Sequence, residues 1–297
     1  MNYHVRNYIQ SDIEVIGIID SFLELSIRYN GDYKGENIFC VVDDNETILG
    51  VGCLNLDSTW YVIDEIDTLH KMNYAISISE DVDTPVVLKD MLMNRLIDRI
   101  KELKVKYPSK SICICAYCED KDFTDMEYLL HKGFLMNAVT PVMKYDLTKD
   151  IPHFEIPSDV IIEEYHFADK AAMDNYHRAD KEASAGIPDS EAQLWFRTGA
   201  PEFKNYSALY GDELVGSITT WLIKDNHSST ENIFVVPDWR RKNIAKELIS
   251  TTLCDLKQNG KTIATLCTKG TNKDAIKLYL SYGYTLYYNL IELHYSL

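Results

Sequence analysis

The sequence predicts an α/β protein built on mixed sheets, with one series of elements occurring twice. Short β-branched runs alternate with helix-length segments whose apolar residues recur every three to four positions. The same series, from an opening strand through a long helix to closing strands, is met in each half. Size and composition agree: 297 residues, 46% apolar and 26% charged, leave room for one large domain or two ordinary ones.

In order, the first half reads strand 3–8, helix 11–26, strands "NIFCVVDD" and "TILGVGCLNL", and strand "MNYAISISE". Helix 85–105, strand "SICICAYC", a short helix 122–131 and a closing strand pair through "VTPVMKYDL" follow. The second half reads strand "DVIIEEYH", helix 168–182, a helical segment 189–198, and strands "YSALYGD", "ELVGSITTWLI" and "NIFVVP". Helix 241–258, strand "TIATLCT", helix 273–282 and "YTLYYNLIELHYSL" complete it. Between the halves, "TKDIPHFEIPSD" carries two prolines, several charges and no period, the pattern of a connector. The expected organisation is residues 1–150, a linker at 151–158, and residues 159–297.

Charge narrows the partners. The net charge of −16 divides into −12 over residues 1–155 (15 basic against 27 acidic) and −4 over residues 156–297 (15 against 19). Such a field argues against a nucleic-acid partner. No apolar run is long enough to span a bilayer, and the start "MNYHVRNYIQSDIEVIGIID" does not read as a signal peptide, so neither a membrane nor secretion is expected. Seven cysteines without an even framework suit a reducing cytoplasm. The cluster Cys113, Cys115 and Cys118 lacks a second ligand pair at zinc spacing, so it reads as a buried strand and no metal is expected.

Within the less acidic half, "ENIFVVPDWRRKNIAKELIS" places Arg240, Arg241 and Lys242 where a strand gives way to a helix. Pro237 cannot donate to a ladder and stops the strand. Ala245, Leu248, Ile249, Thr252 and Leu256 then keep helical spacing. The first amides of a helix are unpaired and lie at the positive end of its dipole, which suits phosphate oxygens. Flanking arginines add charge-assisted hydrogen bonds. An ordinary exposed helix start is the alternative.

The run Val-x-Pro-x-x-Arg-Arg-x-x-Ile-Ala resembles the acyl-CoA-binding signature of the GNAT N-acetyltransferases, Gln/Arg-x-x-Gly-x-Gly/Ala after a strand ending Val-x-Pro. Arg240 stands at its first position and Ala245 at its last. Asn243 stands where the family has glycine, and asparagine tolerates a left-handed backbone best after glycine. The stretch "TKGTNKDAIKLYLSYGYTLYYNLIEL" resembles the family's second motif through Asn272, Ala275, Tyr279, Gly283 and Tyr284. The resemblance covers about residues 160–297. It implies acetyl-CoA as co-substrate, held by Ile233, Phe234, Val235, Arg240, Arg241, Lys242, Asn243, Ile244, Ala245, Lys246 and Asn272. It also implies Tyr279 as the acid for the departing thiolate.

Transfer of an acetyl group to an amine needs a neutral nucleophile, a stabilised carbonyl oxygen and a proton for the thiolate. Glu231 is the first candidate base; an edge carboxylate without a role is the alternative. His227 reads as solvated loop. For Tyr279 the alternative is plain core, since it shares a stripe with Ala275 and Tyr282.

In the first half, Asp83, Thr84, Val86 and Leu129 stand where Arg240, Arg241, Asn243 and Tyr279 stand in the second, while Gly133 and Phe134 match Gly283 and Tyr284. That half resembles a GNAT domain that has lost the charge needed for the cofactor. The acceptor is expected to be a small-molecule amine placed by Tyr176, Asp180 and Trp195. A protein amine, or a non-catalytic acyl-CoA sensor, stay open, and the chain is expected to be a monomer or homodimer.

Overall fold

The computed structural model describes residues 2–62, 68–184 and 187–297. The first half contributes β1 (Tyr3–Asn7), α1 (Ile13–Ile19), α2 (Ser21–Tyr29), β2 (Ile38–Asp43), β3 (Ile48–Leu56) and β4 (Leu69–Ile78). It continues with α3 (Pro85–Lys106), β5 (Ser111–Glu119), α4 (Phe123–His131) and β6 (Leu135–Asp146). The second contributes β7 (Val160–Glu164), α5 (Lys170–Ala183), α6 (Glu191–Thr198), β8 (Lys204–Tyr210) and β9 (Glu213–Lys224). Then come β10 (His227–Val235), α7 (Ile244–Gln258), β11 (Ile263–Cys267), α8 (Lys273–Tyr282) and β12 (Thr285–Ser296).

Local chemistry explains the boundaries that differ from the sequence reading. The helix expected over 11–26 is broken at Asp20, whose backbone is extended and whose carboxylate accepts from Leu23 N at 2.9 Å, so Asp20 starts a second helix. The expected closing pair of the first half is one strand, β6, and Pro141 lies within it. β10 starts at His227, five residues before the expected "NIFVVP", and α7 starts at Ile244 rather than 241. α8 ends at Gly283, whose φ of 112° is a conformation other residues reach only with strain. Gly133 ends the corresponding turn of the first half at φ 89°.

The twelve strands of the described residues form one sheet, ordered β1-β2-β3-β4-β5-β12-β6-β11-β10-β9-β8-β7. The last strand of each half is therefore given to the other. β12 pairs with β5, β6 pairs with β11, and the two exchanged strands pair with each other, all antiparallel. Each core is completed accordingly: Ile291 and Leu293 pack with Phe39, Leu92 and Phe134, while Met143, Tyr145 and Leu147 pack with Leu248, Leu253 and Tyr284. A buried side chain of this size contributes about 1.5–3 kcal/mol, so each half draws a real part of its stability from the other. The segment 151–158 has no regular structure, but it is docked on α7. Glu247 accepts from Phe154 N at 2.6 Å, and Ser250 Oγ donates to Pro152 O at 2.5 Å.

Candidate active site

β10 and β11 run parallel and pair from His227–Ile263 to Ser229–Thr265. Pairing stops there, although both strands continue, to Val235 and Cys267. The sheet opens as a V with Glu231, Asn232, Ile233 and Phe234 on one arm and Cys267 on the other. Thr230 Oγ1 donates to Thr265 O at 3.1 Å and closes the base of the V. On the β9 side, the register slips between Glu231 and Phe234, with Asn232 left-handed at φ 45°. This bulge re-aims the strand and frees it from regular pairing. Gly216, paired with Val235 just past it, is closely covered, since a Cβ there would meet Phe234 O at 3.1 Å.

The mouth of α7 closes the same end of the V. Arg241 and Asn243 are left-handed, at φ 61° and 60°, on either side of Lys242. Alternating left- and right-handed residues turn successive amides toward one point, forming an anion nest. The backbone N–H groups of Arg241 through Lys246 donate to no described residue, and no side chain caps the helix. The carboxylates of the described residues form no ion pair with Arg241, Lys242 or Lys246; Lys242 Nζ lies 4.4 Å over the Trp239 ring and Lys246 Nζ 4.8 Å over Phe154. Free amides amid unpaired cations fit a diphosphate. Arg240 is engaged elsewhere: Nε donates to Val235 O at 2.9 Å and Nη2 to Ala183 O at 3.0 Å. It ties the nest to α5 and the strand end. Asn243 Nδ2 donates to Glu155 O at 3.2 Å.

The titratable groups gather around the V. Glu231 accepts from Ser229 Oγ at 3.0 Å. Burial raises its pKa above the ordinary carboxylate value, against the pull of the Arg197 guanidinium and the Ser229 hydroxyl. It lies well inside β10 rather than at its start. Tyr279 is 6% exposed, and burial pushes its phenol up to about 12, with Cys267 next to it. Cys267 is accessible to solvent yet surrounded by protein, as in a cleft. Burial, with the Glu231 charge adding to it, pushes its thiol up to about 11. Asn272 caps α8, its Oδ1 accepting from Ala275 N at 3.2 Å. His227 is buried in β10 with Nε2 2.8 Å from Thr265 Oγ1, not solvated, because the strand starts earlier than its polar sequence suggests.

Of the three residues expected at an acceptor, the fold brings two together. Tyr176 is fully buried, its hydroxyl accepting from Asn232 Nδ2 at 2.8 Å. Asp180, 2% exposed, accepts from Asp189 N at 3.0 Å, and burial with the Asp189 charge beside it raises its pKa to about 6. Trp195 is 55% exposed and lines a separate hollow with Thr198 and Phe203. Sequence reasoning missed Arg197, ion-paired to Asp189 and felt by Glu231, and the bulge residue Asn232. An asparagine interrupting a β-branched run was the one signal available for the second. A cleft of about 770 Å³ separates the first half from α5 and α6, with Asp189 in its wall. Behind the wall, Asp32 of the first half joins two of the lining residues, accepting from Ser190 Oγ at 2.6 Å and from the Tyr61 hydroxyl. It thereby holds the start of the helix that carries Arg197.

A strand pair that opens beside an amide nest and a buried tyrosine is the arrangement that the resemblance to the GNAT fold leads one to expect. Residues 170–284 match the family described as the acetyltransferase (GNAT) family. The whole fold is similar to that of a tandem GNAT protein from the clavulanic acid biosynthesis pathway, 99% of this chain lying on 98% of that one at a TM-score of 0.69 and 11% identity. A GCN5-related N-acetyltransferase from Sphaerobacter thermophilus shares the fold over 99% of this chain and 95% of its own, at 0.63 and 14%. So does a probable N-acyltransferase from Enterococcus faecalis, over 99% and 72%, at 0.67 and 7%. No curated protein sequence matches the chain. The match to the acetyltransferase (GNAT) family thus lies within the second half, and the chain as a whole has the fold of tandem GNAT proteins.

Proposed function

We propose that the protein transfers an acetyl group from acetyl-CoA to a primary amine of a small molecule, by direct attack within a ternary complex in the second half. The observation that carries this reading is the run of free amides from Arg241 to Lys246, beside the opening that holds Glu231 and Tyr279. Acetyl-CoA would supply an activated carbonyl on a thiol leaving group. Toward it, the amides of 241–246 hold the diphosphate, and those of Phe234 and Val235, past the bulge, donate to the carbonyl oxygen and the pantetheine arm. Asn272 has its Nδ2 left for the same arm. Glu231 takes the proton of the incoming ammonium, directly or through water. Its raised pKa keeps it basic enough for that task. Tyr279 holds at its hydroxyl the proton that the departing thiolate takes up.

Among the described residues the charges felt by Glu231 and Asp180 are the Asp189 carboxylate and the Arg197 guanidinium, so carboxylates outnumber cations there, which favours an acceptor arriving as an ammonium. The first half is proposed not to bind the cofactor. Its β4 and β5 also part, after Asn73–Cys115, but α3 starts with Pro85, which has no N–H, behind Asp83, and no residue there is left-handed. Thiol release from acetyl-CoA, followed over small amines, amino acids, aminoglycosides and peptides, tests the reading. Turnover with a small amine supports it. Turnover with peptides alone would make the acceptor a protein, and no turnover with any of them would leave a binding module.

A further inference from the structure

The strand "SICICAYC", lacking ligand partners in sequence, meets them in the fold. Cys115 of β5 lies directly opposite His294 of β12, and Tyr117 opposite Glu292. Glu292 and His294, two apart on a strand, project to one face. His294 Nε2 is 2.5 Å from Glu292 Oε1, Cys115 Sγ is 3.6 Å from the same oxygen, and the three atoms lie within 4.8 Å of one another. All three residues are buried. We propose that Cys115, Glu292 and His294 form a site for a divalent cation of the zinc class, fastening the exchanged strand β12 to β5. This inference is independent of the acyl-transfer reading.

Thiolate, imidazole and carboxylate are the ligands zinc takes, at about 2.0–2.3 Å, which sets ligand atoms roughly 3.3–3.8 Å apart around a tetrahedral ion. The Cys115–Glu292 separation of 3.6 Å already lies in that range, and the His294–Glu292 pair must open from 2.5 Å. A cation is favoured there even without a metal, since the Lys71 ammonium ion-pairs with Glu292. Lys71 is the competitor, and it has somewhere to go: Asp57 is close enough for its charge to act on the same ammonium. Binding releases the Cys115 proton to solvent and moves Lys71, still charged, from Glu292 toward Asp57. Two amides are placed for the water that would complete the coordination. Asn137 Nδ2 lies 3.3 Å from Glu292 Oε1, and Asn73, opposite Cys115 in β4, has a buried Oδ1 with no hydrogen-bond partner among the described residues.

The test is titration of the full chain with Co(II), then Zn(II). One equivalent of cobalt should give a thiolate-to-cobalt band in the near ultraviolet, removed by one equivalent of zinc. Cys115→Ser should abolish the band, and His294→Ala should weaken zinc at least about a hundredfold, since even outer partners of a metal cost ten- to a hundredfold. Lys71→Met should tighten binding by removing the competing ammonium. A wild-type chain with no band overturns the proposal. So does a band that survives Cys115→Ser and disappears with Cys254→Ser, which would move the ion to the Cys254–His153 pair at 3.8 Å.

Discussion

Asn243 offers the sharpest test of how the nest is held. Its backbone sits at φ 60° and ψ 2°, and its side chain contributes one exposed hydrogen bond, to Glu155 O. A left-handed conformation costs an ordinary L residue about 1–2 kcal/mol, and an exposed hydrogen bond contributes about 0.5–1.5 kcal/mol. Asn243→Ala forfeits both, so it should destabilise the chain by roughly 2 kcal/mol. Asn243→Gly forfeits the bond but relaxes the backbone, and should stay within about 0.5 kcal/mol of the parent. Cofactor affinity separates the two further. If alanine swings the turn to negative φ, the amides of Asn243 and Ile244 leave the nest. Two charge-assisted bonds at about 1.5–3 kcal/mol each are then lost, a hundredfold or more in Kd. Glycine should bind coenzyme A within about threefold of the parent. Thermal unfolding and calorimetry measure both quantities. A tenfold or greater loss with glycine, or full affinity with alanine, would refute a grip made of main chain.

Tyr279→Phe should lower kcat by about 10²–10⁴ while leaving coenzyme A affinity unchanged; equal turnover across the pH range would remove it as the acid. The rate with a good acceptor should fall as pH drops through the raised pKa of Glu231, and in Glu231→Gln that acid limb should vanish from the profile of kcat/KM. Asp180 has a folded pKa of about 6 against an ordinary 3.8, so its contribution to stability is fully present below the unfolded value and lost as pH rises through 6. Asp180→Asn should therefore stabilise the chain at pH 7 by up to about 3 kcal/mol and have little such effect near pH 4, read by denaturant titration at both. Leu293→Ala, a second-half residue in the first core, should cost about 2–5 kcal/mol. It should shift one unfolding transition seen by probes in both halves; two separate transitions would mean that the exchanged strands do not couple them.

Periodicity exposed the elements because each depends on its own residues. In α3, spanning the helix expected over 85–105, Leu88, Leu92, Leu96, Ile100 and Leu103 are buried at helical spacing, and α8 spans the residues expected of it. The nest was readable through Pro237 and Asn243, where local backbone chemistry leaves its mark on residue type. Strand exchange was not readable. β12 would present the same alternation to β5 as to β11, and only the tertiary ladder decides between them. Arg197 and Asp189 escaped notice for the same reason, since a charged pair eight residues apart signals nothing until α6 is docked. His227 was misjudged because its polar neighbours Ser228, Ser229 and Thr230 are buried within the sheet, where Thr230 Oγ1 donates to Thr265 O, rather than looped into solvent. Cys115 looked like filler because its candidate partners lie 177 and more residues away.

Calorimetric titration of coenzyme A into the full chain, repeated with Arg241→Glu, addresses the central claim most directly. The account predicts one equivalent bound per chain, and binding abolished by the added negative charge in the nest. Two equivalents, no heat, or an Arg241→Glu chain that binds like the parent would contradict it.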